Sequence, residues 1–177
     1  MAEADRYRIE HLTKQHNRKE FTCDEPALDR YLKEQARQDA TKKLAAVFVL
    51  VDNDTDEIVG FYSLSASAID ATEFPLEGRL SRRMTYPVIL LGKLATSVRH
   101  REREGKKQRL GEILLLDALF RCYEQTNQVG AIAVILDAKT DSIPFYLKYG
   151  FLPVLDTPNR FFMTMESIAK LVKKSQI

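Results

Sequence analysis

Apolar positions change period several times along the chain, and each change marks an element. Leu28, Tyr31, Leu32, Gln35 and Ala36 recur at helical spacing and predict a helix from about Glu25 to Asp39. Thr22 or Asp24 is its expected cap, and Pro26 falls in the first turn, where a missing N–H costs nothing. The segment Ala46–Val51 is short, apolar and rich in β-branched residues, as a buried strand requires. Turn chemistry at 52–57 joins it to a second strand over 58–66, predicting an antiparallel hairpin. A short edge strand is expected from about Tyr7 to Leu12, and Asp70–Arg83 reads as loop.

Pro87–Val98 reads as a long central strand. Leu110–Gln125 reads as an amphipathic helix with Leu114, Leu115, Ala118, Leu119 and Cys122 at core spacing. Another buried strand covers 131–137. Ser142–Tyr149 is a short helix with Pro144 in its first turn and Gly150 as a left-handed stop. A last strand over 161–165 and a helix from Ile168 to Lys173 complete the order. Helix, hairpin, central strand, helix, strand, helix, strand is an α/β pattern with a mixed sheet. The stretch from Val88 to Asp137 is expected to be a right-handed parallel crossover.

Composition adds limits. The 177 residues are 45% hydrophobic and 29% charged, as in a packed domain, and show neither repeat nor linker. One domain over 1–177 is expected. A net charge of +2 is too small for a polycationic nucleic-acid coat. Cys23 and Cys122 are far apart and lack metal-site spacing, and the three histidines show no ligand spacing, so no metal is expected. MAEADRYRIEHL has no apolar core segment and no run of about 18 apolar residues occurs, so neither a signal peptide nor a membrane span is expected. These features read as a cytoplasmic protein with reduced thiols.

Two segments carry candidate chemistry. The first lies between the central strand and the long helix, where six Lys/Arg stand against two Glu from Arg99 to Arg109. A helix start offers unpaired N–H groups and a partial positive charge, both suited to phosphate. Lys106, Lys107, Arg109 and Gly111 there make a pyrophosphate cradle, or else a solvated loop capping a helix. Neither a P-loop nor a dinucleotide fingerprint is present. The second segment is Ser142–Phe151. Phe145 and Tyr149 share a face and read as core. Tyr146 points about 100° away, and its neutral phenol is either structural or a proton donor in a cleft.

In this order the two segments resemble the GNAT superfamily of acetyl-CoA-dependent N-acetyltransferases. Phe145-Tyr146-Leu147-Lys148-Tyr149-Gly150-Phe151 fits the family ending A-x-x-F-Y-x-x-x-G-F, with Ser142 where many members have Ala. The chain further resembles the GNAT toxins of toxin–antitoxin pairs, from about Tyr7 to Met165. The residues that carry this likeness are Phe21-Thr22-Cys23, Leu28–Ala36, Leu91–Ala95, Gly111–Leu119 and Asp137–Lys139.

The resemblance implies a GNAT-like mixed central β-sheet flanked by helices on both faces. It implies transfer of acetyl from acetyl-CoA to the α-amine of aminoacyl-tRNA, a homodimer, and a ribbon-helix-helix antitoxin as partner. Leu94, Ala95 and Thr96 would hold the pantetheine arm, with a strand bulge near Leu94–Ala95 freeing an N–H for the thioester carbonyl. Lys106, Lys107, Gln108, Arg109, Leu110, Gly111 and Glu112 would form the pyrophosphate loop, with Ser142 near the cofactor. Tyr146 would be the general acid.

The family loop Q-G-x-G-x-G keeps only its last glycine here, Gly111, because Lys107 and Arg109 replace the other two. Side chains there make positive φ costly. Either the loop shifts and holds phosphate through its cations, or acetyl-CoA binding is lost. If tRNA is the acceptor, a basic surface must flank the thioester, and Arg79, Arg82, Arg83, Arg99, Arg101 and Arg103 are the candidates. A GNAT acting on a small amine or protein terminus, and an inactive GNAT-fold binding module, are the rival readings.

Overall fold

The computed structural model describes residues 6–75 and 84–175. In chain order the elements are β1 (Tyr7–His11), α1 (Pro26–Arg30), a π-helical turn (Tyr31–Gln35), α2 (Ala36–Thr41), β2 (Ala46–Asp52), β3 (Ile58–Asp70) and β4 (Thr85–Thr96). They continue with β5 (Glu102–Arg103), β6 (Lys106–Lys107), α3 (Leu110–Gln125), β7 (Ala133–Asp137), α4 (Ile143–Lys148), β8 (Leu152–Pro153), β9 (Arg160–Thr164) and α5 (Met165–Ser175). Single 3₁₀ turns occupy Val98–His100 and Thr140–Ser142. The chain forms two compact units, Met1–Ser65 with Lys93–Ala118, and Ala66–Gly92 with Leu119–Ile177. Strands β3 and β4 and helix α3 are long enough to give residues to both.

The first unit has strands in the order β1, β2, β3, β4. β1 pairs antiparallel with β2 (Tyr7 opposite Asp52) and β2 with β3 (Phe48 opposite Tyr62), with a register shift between Leu50 and Val51. Helices cover both faces. On one, Tyr31, Leu32 and Ala36 pack with Val47, Val49, Val51 and Phe61. On the other, α3 lies so close to β3 that a Cβ on Gly60 would meet Leu114 Cδ1 at 2.7 Å and the Ala95 carbonyl oxygen at 3.0 Å. Glycine is required there for space.

The expected helix over Glu25–Asp39 is present, but interrupted by the π turn. Leu28, Leu32, Ala36 and Ala40 all reach the same core, at a strict four-residue spacing. That spacing overshoots a 3.6-residue turn by about 40° a step. A turn closed by i to i+5 bonds winds more slowly and takes the drift back; here the Ala36 N–H bonds to the Tyr31 carbonyl. Neither Thr22 nor Asp24 caps the helix. Glu25 is the N-cap without a side-chain bond, and Asp24 sits at φ +63°. Asp29 reaches back instead, accepting from the Cys23 N–H at 2.8 Å and the Thr22 hydroxyl at 3.1 Å.

In the second unit β4 pairs parallel with β7, Ile89 with Val134 and Leu90 with Ile135. β7 pairs antiparallel with β9, and β8 lies beyond β9. The sheet is mixed, as expected. Ile69, Phe74, Tyr86, Val88, Ala133, Ile135, Val154 and Phe162 form its core. Gly150 ends α4 at φ +97°, and the Phe151 N–H returns to the Tyr146 carbonyl. Among the described residues no helix is long and apolar enough to cross a membrane.

Candidate acetyl-donor site

In the first unit, β4 delivers the chain to a cavity of about 600 Å³ lined by Thr96, Val98, Arg99, Arg101, Glu102, Lys107, Arg109, Leu110 and Gly111. The segment between strand and helix is ordered by a two-by-two hairpin, β5 against β6 (Glu102 opposite Lys107, Arg103 opposite Lys106). Its turn, Glu104–Gly105, has both residues at positive φ, +51° and +75°. This is the mirror-image turn that suits strand twist. Sequence reading missed the hairpin, because each strand has two residues and no apolar alternation. Its one signal was Gly105 after an acidic residue.

Arg109 answers the question raised by the missing glycines. It adopts φ +50° even though it carries a side chain, while Lys107 lies in an extended strand. The conformation the loop needs before the helix is therefore kept without glycine. The Glu112 and Ile113 N–H groups return to the Arg109 carbonyl at 3.1 and 3.2 Å. This leaves the Leu110 and Gly111 N–H groups as open donors at the start of a 16-residue helix.

The cavity wall carries four cations against Glu102, and the Glu112 carboxylate beside it is bridged by Arg109 Nε at 2.5 Å. This donor set fits a pyrophosphate: two helix N–H groups, surrounding cations and no bare carboxylate at the helix start.

The expected cofactor residues separate into two groups. Thr96, Lys107, Arg109, Leu110 and Gly111 line the cavity. Lys106, Gln108 and Glu112 do not, and they act on its frame. Gln108 accepts from the Tyr7 hydroxyl at 3.1 Å and donates to the Lys106 carbonyl, also at 3.1 Å. Ala95 is buried and Leu94 half-buried. Gly60 and Tyr62 were not foreseen. Tyr62 is fully buried and donates to the Asp117 carboxylate at 2.5 Å, pinning α3 to β3 one turn beyond Leu114.

The loop arginines are committed to the protein. Arg101 donates from Nε to the Thr96 hydroxyl at 3.1 Å, and from Nη2 to the Thr96 carbonyl at 3.1 Å and the Cys23 carbonyl at 3.3 Å. Arg99 pairs with Glu57 at 3.2 Å, and Arg103 lies 3.9 Å from Asp54. Arg79, Arg82 and Arg83 lie outside the described residues.

In the second unit Tyr146 stands on α4, 8% exposed. Phe145 and Phe151 meet its ring edge-on, at 5.1 and 5.7 Å between centroids. Burial pushes its phenol up to about 12. Among the described residues no protein group bonds its hydroxyl, and that oxygen is not one of the fully buried unpaired atoms, so it still reaches solvent. Ser142 is half-buried at the N-cap of α4 and makes no side-chain cap bond. Burial also raises both thiols, Cys23 to about 11 and Cys122 to about 12, so neither is a nucleophile at neutral pH.

Solved structures share this architecture. One is AtaT complexed with acetyl-methionyl-tRNAfMet, which aligns over 93% of this chain and 98% of its own with a TM-score of 0.84 and 22% identity. Another is a tyrosine-to-phenylalanine mutant of the AtaT toxin bound to the C-terminus of the antitoxin AtaR and acetyl-CoA, with a TM-score of 0.76, 23% identity and 94% and 98% coverage. The fold is thus that of these AtaT structures. No family model matches the chain. A curated relative, the tRNA-acetylating toxin of Mycobacterium tuberculosis, is 30% identical over 155 residues, covering 86% of this chain and 88% of the relative. The chain belongs to that family of tRNA-acetylating toxins.

Proposed function

We propose that this chain, read as one cytoplasmic domain over 1–177, transfers acetyl from acetyl-CoA to the α-amine of aminoacyl-tRNA and so blocks translation. A ribbon-helix-helix antitoxin and a second copy of the chain are the expected partners. Acetyl-CoA supplies the activated thioester. The Leu110 and Gly111 N–H groups with Lys107 and Arg109 hold its pyrophosphate. The backbone of Leu94–Thr96 orients the pantetheine arm, and an N–H there polarises the carbonyl. Ser142 is the further residue expected to meet the cofactor. The neutral α-amine forms the new N–C bond as the C–S bond breaks. Its surplus proton leaves to water, and Tyr146 reprotonates the sulfur.

The observation that carries this reading is Tyr146 itself, its ring packed edge-on against Phe145 and Phe151 while its hydroxyl keeps access to solvent. A phenol at about 12 gives its proton to a thiolate of ordinary pKa only uphill, by about 5 kcal/mol. Burial acts on thiolates too: in this protein the Cys122 thiol rises to the same value. A leaving sulfur screened from water would be raised in the same direction, which lessens the gap to Tyr146.

The test is acetyl transfer to aminoacyl-tRNA by the wild type and Tyr146→Phe. The variant is expected to turn over about 10²-fold more slowly, the scale of one acid–base group, with acetyl-CoA affinity kept within about twofold. Equal turnover would remove Tyr146 from this role. Transfer only to small amines would favour the rival GNAT reading. No binding of acetyl-CoA by folded protein would favour the binding module.

A further inference from the structure

The arginines expected to meet tRNA from the described part of the cofactor loop are bonded within the protein, yet a second concavity in the same unit carries cations that are not. A cavity of about 410 Å³ is lined by Lys14, His16, Asn17, Arg18, Lys19 and Lys33. Among the described residues no carboxylate lines it. Lys14 and Lys19 are exposed and Lys33 is half-buried. The nearby Glu10 and Asp29 are bonded, Glu10 in part to the lining residue His16. Glu10 accepts from His16 and Arg8, and Asp29 accepts from Thr22 and Cys23 while lying within electrostatic reach of Lys33.

The wall is built. Arg18 Nη1 donates to the Leu32 and Lys33 carbonyls at 3.2 and 3.0 Å, locking the 14–19 segment onto the π-helical turn. Burial first, and then the like charge of Arg37, disfavour the charged form of the same arginine. Gathering Lys14, Arg18, Lys19, Lys33 and Arg37 without a lining carboxylate is unfavourable in the free protein, and a polyanion relieves it.

The location joins this surface to the chemistry. Tyr31, two residues before Lys33 on the same turn, lies under the Lys93 ammonium, 4.2 Å from the ring centroid. Lys93 immediately precedes Leu94–Thr96. On the other side, the Thr22 carbonyl accepts from the Val98 N–H at the cavity assigned to pyrophosphate. A contact path thus runs from the basic concavity to both ends of the donor segment.

We infer that the Lys14–Lys19 loop and Lys33 form a docking site for the backbone phosphates of the acceptor RNA, away from its reacting 3′ end. This rests on the reading that aminoacyl-tRNA is the acceptor. The site reads charge and spacing, not sequence. Three lysines lining one concavity suit successive phosphates of a duplex stem, for which fork geometry is not required.

The test uses the full chain with charge-reversing variants Lys19→Glu and Lys33→Glu, singly and together, and the milder Lys14→Ala. Aminoacyl-tRNA acetylation and tRNA binding are measured at several salt concentrations. The double variant is expected to raise KM for aminoacyl-tRNA at least tenfold with kcat within about twofold. The slope of log affinity against log salt should flatten by about 0.7 to 0.9 for each phosphate that is no longer neutralised. Thermal unfolding of each variant separates weakened docking from a disrupted fold, and Lys14→Ala gives a graded effect where reversal disturbs folding.

Unchanged KM and unchanged salt slope in folded variants, with an active wild type, overturn the docking site alone. A wild type that acetylates no aminoacyl-tRNA overturns the functional reading beneath it. Variants that keep tRNA affinity but lose an acidic antitoxin peptide also overturn the site, and assign the concavity to a protein partner.

Discussion

Arg109 and Glu112 are joined across the first turn of α3, Nε to carboxylate oxygen at 2.5 Å, while Arg109 itself stands at φ +50°. A left-handed conformation costs a residue with a Cβ about 1–2 kcal/mol relative to glycine, and an exposed ion pair returns at most about 1 kcal/mol. Arg109→Gly removes both terms, whereas Arg109→Ala removes the ion pair and keeps the strain. The expected order in denaturant unfolding is Arg109→Gly above Arg109→Ala by about 1 kcal/mol, the usual gain at a position that suits glycine. Both should lose acetyl-CoA affinity to a similar extent, since each loses the cation. Equal stabilities would mean that Arg109 is not held left-handed.

The pH dependence of turnover follows from two groups of opposite need. The attacking α-amine must be neutral and has an ordinary pKa of about 8. Tyr146 must be protonated, and burial holds its phenol up near 12. The single-turnover rate should rise about tenfold per pH unit below pH 8, level off above it, and show no fall by pH 10. Mixing times short enough to outrun ester hydrolysis make this measurable. A falling limb near pH 10 would mark a solvated tyrosine and contradict its burial.

Gly60 is required by the closeness of α3 to the strands beneath it. Gly60→Ala places a methyl group against the Ala95 carbonyl, which is backbone and cannot turn aside. Overpacking of this kind costs about 1–3 kcal/mol. The expected result is a lower unfolding midpoint together with weaker acetyl-CoA binding, because Ala95 lies in the segment proposed to hold the pantetheine arm. Calorimetric titration of the folded variant checks it, and unchanged affinity would show that Ala95 takes no part.

Arg101 holds three oxygen atoms of two chain segments at once. Arg101→Ala should loosen the end of β4 and weaken acetyl-CoA binding about tenfold, which corresponds to about 1.4 kcal/mol. Arg101→Lys should not restore it, since one ammonium cannot reproduce the planar fork. If lysine rescues fully, the residue acts through charge alone.

The thiols bear on stability at alkaline pH. Buried Cys23 and Cys122 ionise near 11 and 12, whereas unfolded thiols ionise near 8.5. Their contribution is intact below about pH 8.5 and is lost as the pH rises toward 11 or 12, because the unfolded chain gives up its protons first. Folded protein at pH 8 should resist alkylation by iodoacetamide, and both cysteines should react after denaturation. Rapid labelling of native Cys23 would contradict its burial.

What could be read from sequence was governed by the length of the pattern. α3 matches its expected span, Leu110–Gln125, because sixteen residues carry a full amphipathic period. α4 and its stop at Gly150 were legible through Pro144 and the glycine. The tyrosine motif itself led to Tyr146. The π turn was not legible, since periodicity at 28, 32, 36 and 40 predicts helix without saying how the helix absorbs the drift. The hairpin was too short to alternate. The conformation of Arg109 was unreadable because its residue type argues against it, and only the surrounding turn holds it there. The bonds of Arg99 and Arg101 escaped notice because their partners, Glu57, Thr96 and Cys23, come from elsewhere in the fold.

The short hairpin has a kinetic consequence. A thirteen-residue connection between β4 and α3 left loose would surrender about 1–2 kcal/mol of backbone entropy per residue each time a ligand ordered it. Here the paired strands β5 and β6, with the Gln108 N–H bonded to the Arg101 carbonyl at 2.9 Å, fix the connection when the chain folds. The donor molecule meets cations already spaced to receive it. Its capture and the release of spent CoA then require no segment to order or to melt, which suits an enzyme that must exchange its donor after every turnover.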